Sequence, residues 1–244
     1  MQISPPFGYE EVVPLYRNQK VRLPEPAEVP KFALNANAIP ISYTEFSLAL
    51  REYPVVFVTT DEGKTFSAVA VLGMTAGENL FVRNGKWVEG VYVPAYARRY
   101  PFCMAKVKLD AVEQQDRLIC VEKSYLDENG IEMFDAQGQG NERWREIERL
   151  LGEYEADLER SREMCAILLD YSLLEPFSMQ ATVNQGAPMQ LTGMHRVDEK
   201  RLVHLNSSQI KNLLQKGVMA RIYAHLLSLD SFGRLLERKA ALSA

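Results

Sequence analysis

Eleven residues, Tyr92-Val-Pro-Ala-Tyr-Ala-Arg-Arg-Tyr-Pro-Phe102, gather three tyrosines, a phenylalanine and two adjacent arginines. Guanidinium groups beside aromatic rings can hold planar, anionic or peptide-like groups through stacking and forked hydrogen bonds. Arg98 and Arg99 are the types that take a carboxylate or phosphate bidentately. Tyr92, Tyr96 and Tyr100 recur every four residues. A helix opened by Pro94 and closed by Pro101 would stack them along one face. Together with Trp87, the candidate set for holding a ligand or partner is Trp87, Tyr92, Tyr96, Arg98, Arg99 and Tyr100. The competing reading is a tyrosine ridge turned to the core, with one arginine paired to a structural acid.

Other chemistry is thin. His195, His204 and His225 form no H-x-H, H-E-x-x-H or H-x-D pattern. On paper, His195, Asp198 and His204 could assemble a two-histidine, one-carboxylate iron site. Scattered histidines are more often satisfied polar or surface groups, so no metal is expected. Cys103, Cys120 and Cys165 are an odd number without close spacing. That suits reduced, buried thiols better than a disulfide framework or a zinc site. No G-x-S-x-G elbow supplies a nucleophile, and no catalytic residue is assigned. Gly138-Gln-Gly140 precedes a helix, but Arg143 stands where a dinucleotide fingerprint needs its third glycine, so no cofactor is expected. The segment from Arg201 to Ala244 carries seven Lys/Arg against two Asp/Glu. A helix-turn-helix there would place Asn212 and Lys216 where that motif wants apolar residues, so nucleic-acid binding is not expected.

A net charge of -4 also argues against nonspecific contact with nucleic acid or acidic membranes. The chain has 244 residues, 47% of them hydrophobic, enough to bury a substantial core. One domain over 1–244 is expected. The first residues lack a basic stretch followed by an apolar run, and no window approaches a membrane span. The expectation is a cytoplasmic protein.

The elements that must position these residues read as α+β. Seven prolines in residues 1–40 predict an extended, packed arm rather than regular structure. Ser42-Tyr-Thr-Glu45 fits a capping box opening a helix that Pro54 stops. Val55–Thr59 and Phe66–Leu72 read as strands around a turn at Asp61–Lys64. Asn84-Gly85 predicts a hairpin, Phe102–Leu109 and Arg117–Val121 a further strand pair, and Asp127–Gly130 a turn. From about 141 to 172 a long helix is expected. Trp144, Ile147, Leu151, Tyr154, Leu158, Ser161, Cys165 and Leu168 space themselves like a heptad seam. A homodimer through residues 144–168 is one reading of that seam, and a helix packed across a sheet is the other. Phe177–Val183 and Pro188–Val197 suggest a hairpin across Asn184-Gln-Gly186. A helix capped by Asn206 or Ser207 should stop at Gly217. Val218–Leu229 fits strand or helix, and a last helix should run from Asp230 or Ser231 to Leu242. The sum is a mainly antiparallel sheet with the long helix and the C-terminal helices packed on it.

Several ordered motifs resemble the SapC family of bacterial proteins. They include Leu34-Asn-Ala-Asn-Ala-Ile-Pro-Ile-Ser, Glu52-Tyr-Pro-Val-Val-Phe-Val and Gly77-Glu-Asn-Leu-Phe-Val. The Tyr92–Phe102 segment, Gly130-Ile-Glu-Met-Phe-Asp, Leu174-Glu-Pro-Phe and Leu191-Thr-Gly-Met-His-Arg-Val-Asp continue the match. It covers about residues 10 to 230. Lys20 and Met194-His-Arg196 depart from the family pattern. The family name comes from association with a surface layer. Neighbouring genes in the family suggest an accessory role in nutrient uptake or natural-product handling, and no catalytic residues come with the resemblance. A non-enzymatic binding or accessory protein for an unknown protein or small anionic ligand is therefore expected. The alternatives are an iron-dependent or halogenase-associated modifying enzyme, and a structural surface-layer component.

Overall fold

The computed structural model describes residues 2–109, 112–182 and 188–242, with only the backbone described at Gln2, 106–109 and 112–116. In chain order the strands are β1 (Gln2–Ile3), β2 (Val12–Pro14), β3 (Lys20–Val21), β4 (Ala38–Pro40), β5 (Val55–Val58) and β6 (Ser67–Val71). They continue with β7 (Val82–Arg83), β8 (Lys86–Trp87), β9 (Phe102–Leu109), β10 (Val112–Glu122), β11 (Ile131–Glu132), β12 (Leu174–Ala181) and β13 (Met189–Val197). The helices are α1 (Phe46–Ala49), α2 (Ala95–Arg98), α3 (Glu142–Asp170), α4 (Glu199–Leu202), α5 (Ser207–Gln215), α6 (Val218–Ser228) and α7 (Ser231–Leu242). The chain is α+β, with antiparallel sheets, the long helix and a run of C-terminal helices.

Two compact units form. The first takes Met1–Ala33 and Tyr96–Ala156. Its main sheet has the order β1-β9-β10-β2, with a separate ladder of β11 on β3. The β9–β10 pair sets Cys103 opposite Cys120 and Phe102 opposite Val121. The proline-rich arm is more regular than expected, because it contributes β1, β2 and β3. Pro14 closes β2 on a sheet edge, where a missing N–H costs the ladder nothing.

The second unit takes Leu34–Ala95 and Asp157–Ala244, and its sheet has the order β12-β13-β5-β6-β4. Pro40 and Pro176 lie on its two edge strands, β4 and β12. Pro176 therefore sits inside a strand rather than ending the preceding helix, which already stops at Asp170. The turn expected at Asn184-Gln-Gly186 lies outside the described residues. Asn84 and Gly85 turn the β7–β8 hairpin with positive φ of 51° and 74°, the conformation this dipeptide favours. The capping-box segment makes a 3-10 turn over Tyr43–Glu45 that runs into the short α1.

Burial along α3 follows the seam. Trp144, Leu151, Tyr154, Ser161, Cys165 and Leu168 are buried, and Ile147 and Leu158 are half-buried. Each fully buried leucine of this stripe contributes about 1.5–3 kcal/mol. The segment Val218–Leu229, ambiguous in sequence, is helical. In α6 the residues Val218, Ile222, His225 and Ser228 recur on one buried face.

Candidate functional site

The aromatic–arginine segment is braced inward. Tyr96 is 5% exposed, Arg99 4% and Tyr100 9%, whereas Arg98 is exposed. The four-residue α2 is too short to carry all three tyrosines. Tyr92 precedes it and is half-buried, with its hydroxyl donating to Glu45 Oε1 at 2.8 Å. Tyr96 and Tyr100 each set a ring 5.8 Å from Phe32, and the Tyr96 hydroxyl donates to the Phe7 carbonyl at 2.5 Å. The Tyr9 ring lies tilted against Tyr100 with centroids 5.1 Å apart, and its hydroxyl donates to the Phe102 carbonyl at 2.7 Å. The expected ligand-facing ring surface is thus largely a packed one, because the proline-rich arm supplies aromatic partners for those rings.

Arg99 sits at its centre. Its guanidinium lies 4.3 Å from the Tyr96 ring centroid and 4.5 Å from that of Tyr154. Its Nη1 is 3.7 Å from Glu155 Oε1, while Arg117 bonds the other oxygen of the same carboxylate. The Arg99 Nε is buried without a hydrogen-bond partner. Stacking on two rings offsets part of the cost of burying this charge. Burial also pushes the Tyr9 and Tyr100 phenols up, so both remain neutral. Trp87, in the other unit, is 6% exposed, and its Nε1 likewise lacks a partner.

Glu45 was not singled out by sequence beyond its capping role. Its carboxylate is 3% exposed and accepts four hydrogen bonds. Oε2 takes the Ser42 N–H at 2.7 Å and the Ser42 hydroxyl at 2.8 Å. Oε1 takes the Tyr92 hydroxyl and, at 2.7 Å, the Ala95 N–H. Four donors satisfy this buried carboxylate, with no cation paired to it among the described residues. The only sequence signal was the capping box, which covers half of the network.

The histidines and cysteines have structural surroundings. His225 is fully buried, and both ring nitrogens serve backbone groups. Nε2 accepts from the Val197 N–H at 3.0 Å and Nδ1 lies 2.7 Å from the Val55 carbonyl, so Nδ1 carries the proton. Ser228, one turn on, accepts from the Val55 N–H at 2.9 Å. Desolvation by burial lowers the His225 pKa to about 4. His195, half-buried, packs against Phe66 with ring centroids 4.9 Å apart, and its Nδ1 has no partner. Asp198 caps α4 and pairs with Arg201, and His204 is exposed. Among the described residues no three His, Cys, Asp or Glu side chains gather as a metal site, His195, Asp198 and His204 included. Burial pushes the Cys103 and Cys165 thiols up to about 12 and Cys120 to about 11. Among the described residues no helix is long and apolar enough to cross a membrane.

No curated protein and no solved structure matches the chain. A family model, SapC, matches residues 17–235, nearly the span over which the motifs resembled that family. The chain belongs to the SapC family.

Proposed function

We propose that this SapC-family chain is a non-enzymatic binding protein with an accessory role in nutrient uptake or natural-product handling. The observation that carries the reading is the state of the groups that catalysis would need. Both nitrogens of His225 are occupied by backbone hydrogen bonds, and the three thiols are buried and protonated at neutral pH. His195 keeps an unpartnered Nδ1 and His204 is exposed, but among the described residues neither stands in a group of three His, Cys, Asp or Glu side chains. A base needs a nitrogen free to take a proton, and a thiol nucleophile needs its thiolate. The segment around Arg98 instead suits holding. Tyr96, Arg99 and Tyr100 pack inward and fix α2, so the exposed Arg98 is presented from a braced helix. Family membership supports the accessory role, as the resemblance implied.

The test follows the species that the purified full-length chain carries. It should survive chelation and the His195→Ala and His204→Ala changes. With Arg98→Ala its occupancy should fall roughly tenfold while the melting temperature moves by less than about 2 °C. Loss on chelation, or loss in either histidine variant, would favour the iron-dependent enzyme instead. Occupancy unchanged in Arg98→Ala would remove Arg98 from the binding surface.

A further inference from the structure

A cleft of about 310 Å³ opens within the second unit, between the Tyr43–Thr44 turn, the Arg160–Met164 stretch of α3 and the joint of α5 with α6. Its charged lining is Arg160, Lys216 and Arg221 against the single carboxylate of Glu163. Arg160 bonds Asp157 Oδ1 at 3.1 Å, and Lys216 bonds Glu163 at 2.6 Å. Arg221 differs from both. Its guanidinium lies 4.0 Å from the Tyr43 ring centroid and donates only to backbone carbonyls. Those bonds are long, 3.3 Å to Tyr43 and 3.4 Å to Gly217. Among the described residues no carboxylate reaches it.

We propose that this cleft binds a dianionic phosphate group, free or as the monoester of a small molecule, with Arg221 as the anchoring cation. The site rests on the binding reading above but is built wholly from the second unit, whereas Arg98 belongs to the first. Arg160 is paired with Asp157 and Lys216 with Glu163, so the uncompensated charge at the cleft is that of Arg221, whose fork suits two phosphate oxygens while Lys216 supplies a second cation for the dianion. Arg221 is held ready before any ligand arrives. Tyr43 is pinned by its hydroxyl bond to the Lys216 carbonyl at 2.6 Å, and its ring supports the guanidinium from below. Gly217 makes that closeness feasible. Its φ is +69°, and an added Cβ would fall 2.6 Å from the Tyr43 hydroxyl oxygen. The Lys216–Glu163 pair is about half exposed on each side, so it holds the lysine weakly. Lys216 can therefore turn to the phosphate. Met164 and Val218 line the same cleft and give an ester's organic part an apolar wall.

Calorimetric titration of the full-length chain tests this at fixed ionic strength, with inorganic phosphate, phenyl phosphate and acetate up to about 10 mM. Phosphate should saturate, and acetate should bind roughly tenfold more weakly. Arg221→Gln should weaken phosphate binding by about tenfold or more. Glu163→Gln removes the competing carboxylate from an exposed position and should tighten it about threefold. Arg145→Gln, an exposed cation elsewhere on α3, should change nothing. Equal affinity for both phosphates assigns the free ion, and tighter phenyl phosphate assigns a monoester. Failure of both phosphates to saturate overturns the proposal, as does affinity indifferent to Arg221→Gln and Glu163→Gln together. If phosphate fails while the chain carries some other bound molecule, the phosphate site falls and the binding reading stands.

Discussion

His225 ties acid stability to one buried ring. Its pKa is near 4 in the fold against an ordinary 6.5, so the unfolded chain binds the proton more readily over that interval. Stability from this group is fully present above pH 6.5 and is lost as pH falls through 4. A drop of roughly 3 kcal/mol across that window is expected. Denaturant unfolding at pH 7 and at lower pH should show it, and His225→Gln should be weaker at pH 7 yet flatter below 6.5. Parallel pH profiles for the two proteins would contradict the assignment. At this scale the sequence was partly legible. It pointed to histidines as satisfied polar residues, but nothing in its pattern could reveal Val55 and Val197 as the partners of His225, because those contacts span 170 and 28 residues. Likewise the Tyr92–Phe102 segment announced an aromatic–arginine cluster. Whether Tyr96 and Tyr100 faced solvent depended on Phe7, Tyr9 and Phe32 in the distant arm.

Elements were read well where local rules decide them. Asn84-Gly85 fixed its hairpin through two positive φ values, and Ser42 with Glu45 marked the start of a helical turn. Val218–Ser228 stayed ambiguous because an apolar run serves a strand or a helix equally, and its buried period appears only in the folded helix. Sheet order settled the prolines, since each of Pro14, Pro40 and Pro176 falls on an edge strand that pairwise sequence signals do not identify. Glu45 carries the strongest element-level expectation. It joins the Tyr43–Glu45 turn to the Tyr92–Ala95 segment through two of its four hydrogen bonds, the other two holding Ser42. Glu45→Ala takes this acceptor from two hydroxyls, Ser42 and Tyr92, and from two backbone N–H groups. A loss of about 3–5 kcal/mol is expected, and Glu45→Gln should recover only part of it. Urea unfolding measures both, and a change below about 1 kcal/mol for Glu45→Ala would show that these donors find other partners.

On the scale of the whole molecule, family membership and α+β class were legible because the motifs occur in order across most of the chain. The division of contacts into two units was not legible, because it cuts inside α3, after Ala156, where no loop or composition shift marks it. Six of the eight seam residues from Trp144 to Leu168 are already buried in the single chain, with Ile147 and Leu158 half-buried. A homodimer through it would have to give up those contacts, so a monomer mass is expected. The central claim is that the protein binds and does not transform. Native mass spectrometry of the full-length chain, purified gently from its own host, tests it most directly. The account predicts a monomer with a retained non-covalent adduct whose mass stays constant on prolonged incubation. An adduct converted to a species of different mass, or a chain that carries nothing but turns over added compounds, would contradict it.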